Sequence, residues 1–288
     1  MAEPILKWVG GKRQLLEKLQ SRFPISYDDY HEPFIGGGAV FFKLEPSEGS
    51  INDLNRRLIT LYKIIRDYPE ELIEENRQHE YVEEYYYDAR TRFNELHKLE
   101  ERSVDLRIEE ASLMLYLNRT GYNGLYRVNS SDEFNVPFGR HKNPDFVRER
   151  QIRAASDVLD DIEVYNRDFN YILERAGEGD FVYFDPPYEP VSKTADFNQY
   201  QADGFDKDDQ KRLRDLAVEL DQEGVYVVIS NSPPVGNIYE ELTEFDIDIV
   251  DAVRMVNSDA DNRDEVAEII ITNVPSGDQQ QQNLEKYV

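Results

Sequence analysis

The sequence predicts an α/β fold built on a largely parallel sheet, and three observations carry that expectation. Strand and helix patterns alternate between Tyr30 and Ile65. The first strand turns into a helix through Gly36-Gly37-Gly38. A later apolar run, Phe181-Val182-Tyr183-Phe184, ends abruptly in Asp185-Pro186-Pro187-Tyr188. Parallel strands need a crossover between them, so alternation of strand and helix is their signature.

Taken in order, Tyr30 to Phe34 reads as the first strand, and Ala39 to Leu44 as a short helix after the glycines. Ser50-Ile51-Asn52-Asp53 is the second strand, and Leu54, Leu58, Leu61, Ile64 and Ile65 then recur on one helical face. From Pro69 to Glu110 the chain is charged and helical, with Tyr81, Tyr85, Ala89, Phe93, Leu96 and Leu99 at helical spacing. That spacing favours packing over base stacking for the tyrosine run Tyr85 to Tyr87. Ala111 to Leu117 leads into a Gly/Asn-rich loop and a hairpin-like stretch through Phe138. The α/β pattern resumes at Phe146 to Leu159, with strands at Ile162 to Tyr165, Phe181 to Phe184 and Val225 to Ile229. Phe245 to Val250 and Val266 to Thr272 fit an antiparallel hairpin closing the sheet. Residues 1–66 and 144–274 therefore form the expected α/β domain, 67–143 an insertion, and 275–288 a disordered polar tail.

Composition narrows the function. The chain has 288 residues, 40% hydrophobic and 12% aromatic, enough for a sizeable core. No apolar stretch approaches the roughly 18 to 20 residues of a membrane span, and the start Met1-Ala2-Glu3-Pro4 has no secretory pattern. With no cysteine and four scattered histidines, no metal is expected, and the expected location is cytoplasmic. Lys+Arg 33 against Asp+Glu 59 gives a net charge of -26, opposite to the basic footprint of a nucleic-acid binder. Two segments depart from that balance. Arg119, Arg127, Arg140, Lys142, Arg148 and Arg150 outnumber Asp132, Glu133, Asp145 and Glu149, and Lys7, Lys12, Arg13, Lys18 and Arg22 outnumber Glu3 and Glu17. Basic islands on an acidic background suit a nucleic-acid enzyme working in molar salt, where repulsion is screened within about 3 Å.

The turn after the fourth strand offers a carboxylate (Asp185), a rigid Pro186-Pro187 pair with unclaimed carbonyls, and a flat ring (Tyr188). Acceptors beside a stacking surface suit a planar heterocycle bearing an amino group, although a proline-terminated edge strand with a surface Tyr is the plainer alternative. Glu32-Pro33-Phe34-Ile35-Gly36-Gly37-Gly38 lies where open α/β folds bind ligands. A dinucleotide fingerprint fails there because Phe41 stands at the third glycine position counted from Gly36. A P-loop fails at Trp8 to Arg13, where Arg13 replaces the Ser/Thr. Asp53, ending the second strand, suits two ribose hydroxyls; a tight turn without ligand fits the same residues equally well.

The Asp185-Pro186-Pro187-Tyr188 turn resembles the amino-methyltransferase motif of DNA adenine methyltransferases. Lys7-Trp8-Val9-Gly10-Gly11-Lys12 resembles the N-terminal signature of their alpha group, the D12 class typified by the Dam family. The resemblance implies a Rossmann-like sheet using S-adenosylmethionine. It places Trp8, Lys12, Phe34, Gly36, Gly38, Asp53 and Asp185 around that cofactor, and Asp185, Pro186, Pro187 and Tyr188 at the reacting base. Asp168-Phe169 is similar to the segment contacting the cofactor's adenine, and as a dipeptide it equally suits a helix cap. The order of parts, glycine motif, insertion and then DPPY, is that of the alpha group.

The stretches Leu117 to Asn129 and Phe134 to Arg140 also resemble the Dam recognition region. By itself a solvated surface loop is the plainer reading. The resemblance assigns duplex-DNA contacts to Arg119, Asn123, Arg127, Asn135, Pro137 and Arg140, with Arg127 at the position that reads the outer guanine of GATC. Arginine pairs with guanine in bidentate fashion. The implied protein is a monomeric, salt-adapted adenine-N6 methyltransferase, with a restriction endonuclease as possible partner. The other readings are a methyltransferase acting on RNA or protein glutamine, and a catalytically silent DNA-binding module. The glutamine enzymes carry Asn where this chain has Asp185.

Overall fold

The computed structural model describes residues 2–8, 10, 12, 15–188, 205–240, 242–253 and 265–280. The elements in order are α1 (Leu16–Gln20), β1 (Tyr30–Glu32), α2 (Phe41–Leu44), β2 (Gly49–Asn52), α3 (Arg56–Asp67), α4 (Pro69–Asn76), α5 (Glu83–His97), α6 (Val104–Thr120), α7 (Glu149–Leu159), β3 (Ile162–Tyr165), β4 (Phe181–Phe184), α8 (Lys207–Gln222), β5 (Tyr226–Asn231), β6 (Asp246–Val253) and β7 (Glu265–Thr272). The chain forms two compact units. One holds the described residues of Met1–Gly11 and Ile35–Asp168, and the other those of Lys12–Phe34 and from Phe169 onward.

In the first unit β2 and β3 pair in parallel, Gly49 opposite Ile162 and Asn52 opposite Tyr165. Helix α3 starts where the Asn55 side chain accepts the N–H groups of Arg57 and Leu58. A cap of this kind contributes about 1 kcal/mol. The helix buries Leu58, Leu61, Ile64 and Ile65 as their spacing predicts. Leu54 precedes the cap, so it leaves that face and is exposed. Helix α6, apolar on nearly all sides, lies against α3, α4 and α5. Helix α5 turns Tyr86, Ala89, Phe93 and Leu96 inward. Tyr81 and Leu99, expected on that stripe, lie outside the helix, and Leu99 is exposed because the helix has already ended. The Tyr85 hydroxyl reaches His79 Nδ1 at 2.7 Å, and Tyr86 donates to the Val136 carbonyl at 3.0 Å, so these two rings hold the fold together. Bridges at Gly121–Phe138 and Val128–Phe134 shape the hairpin-like stretch.

In the second unit β4 lies between β1 and β5, parallel to both, and β7 pairs antiparallel with β5 and with β6. All four β4 residues are fully buried, as parallel strands covered on both faces are. Helix α8 opens on a reciprocal cap between Asp206 and Asp209 and buries Leu213, Leu216, Ala217 and Leu220. The fold class is the expected Rossmann-like α/β type, parallel at β2–β3, β1–β4 and β4–β5, with the late antiparallel hairpin in place.

The start of the expected tail is folded. Gln279 bridges to Pro24, Ile25 N–H donates to the Asp278 carbonyl at 2.8 Å, and Gln280 N–H donates to the Phe23 carbonyl at 2.9 Å. These backbone bonds fix residues whose composition alone suggests disorder. The tail from 281 on, Val9 and Gly11 of the N-terminal signature, and Arg13 just after it, lie outside the described residues.

Candidate active site

The proline turn sits at the carboxyl end of β4, and Pro186, which has no N–H, ends the ladder there. Around it the second unit gathers four groups. Lys12 Nζ lies 2.8 Å from Asp185 Oδ1 and 3.9 Å from Glu268 Oε2. Tyr188 donates its hydroxyl to Glu268 Oε2 at 2.8 Å, and the Lys12 ammonium lies 4.5 Å from the centre of the Tyr188 ring. Lys12 is only 4% exposed, so its contacts are made in a site largely removed from water. Burial raises the Asp185 carboxyl above its usual range, Lys12 opposes that shift, and Glu268 adds to it. Burial, then the two carboxylates, push the Tyr188 phenol well up, so it stays protonated and donates.

The turn is braced from behind. Gln210 on α8 donates to the Pro187 carbonyl at 3.3 Å and accepts from Asn231 Nδ2 at 2.9 Å. Nearby, Phe34 lies against Phe169, Phe184 and Phe205, with ring centres 5.4, 6.3 and 5.6 Å away. Phe34 and Phe169, each expected at the cofactor, thus come together in an aromatic cluster in which Phe169 is buried and the Arg212 guanidinium lies 4.8 Å from its ring centre. Glu268, Gln210 and Asn231 were not among the expected site residues. The one available signal for Glu268 is an acid set inside the apolar run Val266 to Thr272.

The first unit holds the glycine turn. Gly36 N–H donates to Asp53 Oδ2 at 3.1 Å and Asn55 N–H to Asp53 Oδ1 at 2.8 Å. Each carboxylate oxygen keeps acceptor capacity beyond these bonds. Burial raises the Asp53 carboxyl to about 6, against the opposing pull of the two N–H groups. Gly36 and Gly38 have φ of 45° and 69°, and a Cβ on Gly37 would come within 2.7 Å of Trp8 Cβ. Glycine is needed both for the turn and for the approach of Trp8. Asp168 follows β3 in a loop fixed by Asn52, which bonds Arg167 through both its amide atoms at 2.9 and 2.8 Å.

The expected DNA contacts also lie in the first unit. Arg127 is exposed, and its Nε donates to Asn135 Oδ1 at 2.7 Å, which aims the guanidinium before any ligand arrives. Asn123 has a left-handed backbone, and beside it the Tyr122 ring is 53% exposed. Pro137 and Arg140 are exposed, while Arg119 is half-buried and bonds the Asp145 carbonyl at 3.3 Å. Arg148, counted in the basic island, is buried and adds little to the surface charge.

Among the described residues one further cluster, Asp29, His31 and Asp180, brings possible metal-ligand atoms within 4.8 Å. Asp180 already accepts the Asp29 and Gly177 N–H groups at 3.0 and 2.8 Å, so it serves to tie the loops before β1 and β4.

Residues 8–256 match the family described as D12 class N6 adenine-specific DNA methyltransferase. The type II methyltransferase M1.LlaDCHI of Lactococcus lactis subsp. cremoris is 44% identical over 278 residues, covering 94% of this chain and 95% of its own. The type II methyltransferase M.MjaIII of Methanocaldococcus jannaschii is 37% identical, covering 94% and 99%. The DNA adenine methylase of Escherichia coli K12 is 34% identical, covering 92% and 93%.

Proposed function

Because this chain belongs to the D12 class of N6 adenine-specific DNA methyltransferases, we propose that it moves methyl from S-adenosylmethionine to N6 of an adenine flipped out of duplex DNA, with GATC as the target. The observation that carries the mechanism is the Lys12–Asp185–Tyr188–Glu268 cluster at the end of β4. Two carboxylates facing one ammonium leave it formally one negative charge, which fits a cationic sulfonium. Asp53, with acceptor capacity left on both oxygens, fits a ribose, and the half-buried Phe34 ring, backed by Phe169, fits an adenine.

S-adenosylmethionine, when bound, supplies an activated methyl group. The chain's own residues align the amine that receives it. A paired adenine cannot present its amino group, so the base leaves the stack. Asp185 and the Pro186 carbonyl accept the two amino hydrogens and draw the nitrogen lone pair out of conjugation. Lys12 helps to keep Asp185 ionised in its buried setting. Tyr188 stacks on the flipped ring, and Glu268 holds its hydroxyl so that the ring plane is set beforehand. Most of the acceleration comes from this alignment.

In this reading residues 67–143 are the recognition insertion, and Arg127, held by Asn135, reads the outer guanine. The protein acts as a monomer. A restriction endonuclease for the same sequence belongs to the reading, since two relatives are named type II methyltransferases. The charge of -26 reflects work in concentrated salt. Incubation of plasmid DNA with the protein and S-adenosylmethionine, followed by sequencing that maps methylated bases, tests the proposal. N6-methyladenine at GATC supports it. Adenine methylation at another sequence removes the GATC assignment, and plasmid DNA left unmethylated by the folded protein removes the substrate.

A further inference from the structure

Within the first unit a closed circuit of contacts joins the glycine turn to the recognition hairpin. On one side Gly36 and Asn55 both donate to Asp53, and Asn55 caps the helix turn that carries Arg57. Arg57 is 1% exposed. Its guanidinium donates to the Tyr126 hydroxyl at 3.2 Å and the Asp132 carbonyl at 3.1 Å, and lies 4.7 Å from the Phe93 ring centre. Tyr126, the neighbour of Arg127, stacks on Trp8 with ring centres 5.1 Å apart and planes 25° apart. Trp8 closes the circuit, since it lies where a Cβ on Gly36 or Gly37 would sit, at 3.0 and 2.7 Å. Asn118 adds a parallel tie by bonding both the N–H and the carbonyl of Lys7, each at 2.9 Å, and the Gly124 carbonyl at 3.0 Å.

Packing alone does not account for an arginine here. Arg57 Nε is buried without a hydrogen-bond partner, and Asp132 Oδ1, 4.0 Å from its NH1, belongs to a side chain that is 55% exposed. Asn94 Oδ1 accepts a further bond at 3.5 Å, and the buried Glu110 carboxylate also interacts with this guanidinium, so the charge is compensated by several dispersed partners rather than by one close ion pair. An apolar side chain of similar volume often serves stability as well as such an arrangement. What the guanidinium does provide is a directional link between the hairpin and the first turn of α3, two residues after Asn55.

We infer that Arg57 and Tyr126 are positioning residues that make cofactor binding at Asp53 and the posture of the Arg127 hairpin depend on each other. This rests on the function proposed above. When the hairpin seats on its target, Tyr126 and Trp8 are pressed against the glycine turn and the cofactor is held more tightly. By linkage, bound cofactor strengthens target binding by the same factor.

The test measures the affinity of S-adenosylhomocysteine by calorimetry, without DNA and with a duplex carrying the target sequence mapped for the wild-type enzyme. The proteins are wild type, Tyr126→Phe, which keeps the stack and loses the bond to Arg57, and Arg57→Met, which keeps the volume and loses the charge. Wild type is expected to bind roughly 5 to 150-fold more tightly with DNA, and both variants to fall to about twofold or less, with cooperative melting retained. Arg57→Met is expected to melt no lower than wild type. A wild type that binds neither S-adenosylhomocysteine nor DNA sinks the proposed function itself. A wild type that binds both without mutual effect overturns the coupling alone, as do folded variants that keep the full factor. Loss of cooperative melting in both variants also overturns it, because the circuit is then only a structural clamp.

Discussion

The proline turn and the hairpin proposed to recognise DNA present their polar groups by opposite means. At the turn, charge is concentrated and shielded: Lys12 is 4% exposed, Asp185 and Glu268 face it, and α8 braces the backbone through Gln210. At the hairpin, Tyr122, Asn123, Arg127, Pro137 and Arg140 stand in solvent on backbone held by isolated bridges. The first arrangement makes electrostatics strong by removing water, where pair energies exceed those at the surface several-fold. The second leaves its donors hydrated, as suits groups proposed to meet a duplex. In the proposed function, chemistry would therefore depend on a few short distances, and recognition on the sum of many exposed contacts. The variants that follow break one or the other.

The largest effect is expected at Asp185. Asp185→Ala removes the carboxylate proposed to orient the amine while leaving the buried β4 intact, so kcat should fall by more than about 10²-fold, as when an enzyme loses a preorganised charge partner. Asp185→Asn keeps the shape and polarises the amine less, so it should stay severely impaired. Methyl transfer to an unmethylated duplex, measured beside a melting curve, decides. Folded variants with near-normal turnover would remove the role given to the turn.

Legibility from sequence follows the same contrast. Strands β4 and β5 are readable because continuous apolar runs are buried and followed closely by prolines, and the β6–β7 hairpin because the alternating stretch Phe245 to Val250 is followed by the apolar run Val266 to Thr272. Helix α8 is absent from the sequence expectations although the Asp206–Asp209 cap and the stripe Leu213, Leu216, Ala217 and Leu220 are local signals. Asp185 and Tyr188 are legible because their chemistry lies within four residues. Glu268 is not, because its partner Tyr188 is 80 residues away. The hairpin's shape is legible from its glycines and asparagines, but the role expected of it only through family resemblance, since exposed polar loops look alike in composition. Arg57 and Tyr126 are 69 residues apart, and no local pattern announces a buried pair at that separation.

Glu268 sharpens the picture of the turn as a preset site. Glu268→Gln keeps an acceptor for Tyr188 and removes the second negative charge. It should lower kcat by about tenfold, which corresponds to roughly 1.4 kcal/mol of lost transition-state stabilisation. Glu268→Ala should cost more, because it also frees the Tyr188 hydroxyl. Single-turnover rates with saturating DNA compare the two. Equal rates for Gln and Ala would mean that the charge matters and the tether to Tyr188 does not.

On the side proposed for recognition, Arg127→Ala removes a side chain whose bidentate pairing with guanine would contribute roughly 1 to 3 kcal/mol of base discrimination. Methylation at sites altered at the outer guanine should rise towards that at the cognate site, while affinity for unrelated DNA changes less. Sequencing of methylated products measures the ratio directly. Asn135→Ala should give a smaller loss in the same direction, since Asn135 only aims the guanidinium. If the first variant rejects altered sites as sharply as wild type, the reader lies elsewhere.

The smallest effect separates cofactor binding from chemistry by pH. The Asp53 carboxyl is raised to about 6 by burial, so its ionised form, the better acceptor for ribose hydroxyls, is lost as pH falls through about 6 rather than near the ordinary carboxylate value. Affinity for S-adenosylmethionine should be flat between about pH 7 and 8 and weaken several-fold by about pH 5.5. The folded state binds this proton more readily than the unfolded chain, so this group's contribution to stability falls as pH rises towards 6 and improves again on acidification. Loss of binding near pH 6 in a protein whose melting midpoint holds would therefore report on Asp53 and not on unfolding. Asp53→Asn, which cannot titrate, should bind more weakly at pH 7.5 and show no change between pH 7 and 5.5. A variant that keeps the wild-type pH profile would assign the titration to another group, with the raised Asp185 carboxyl the next to examine.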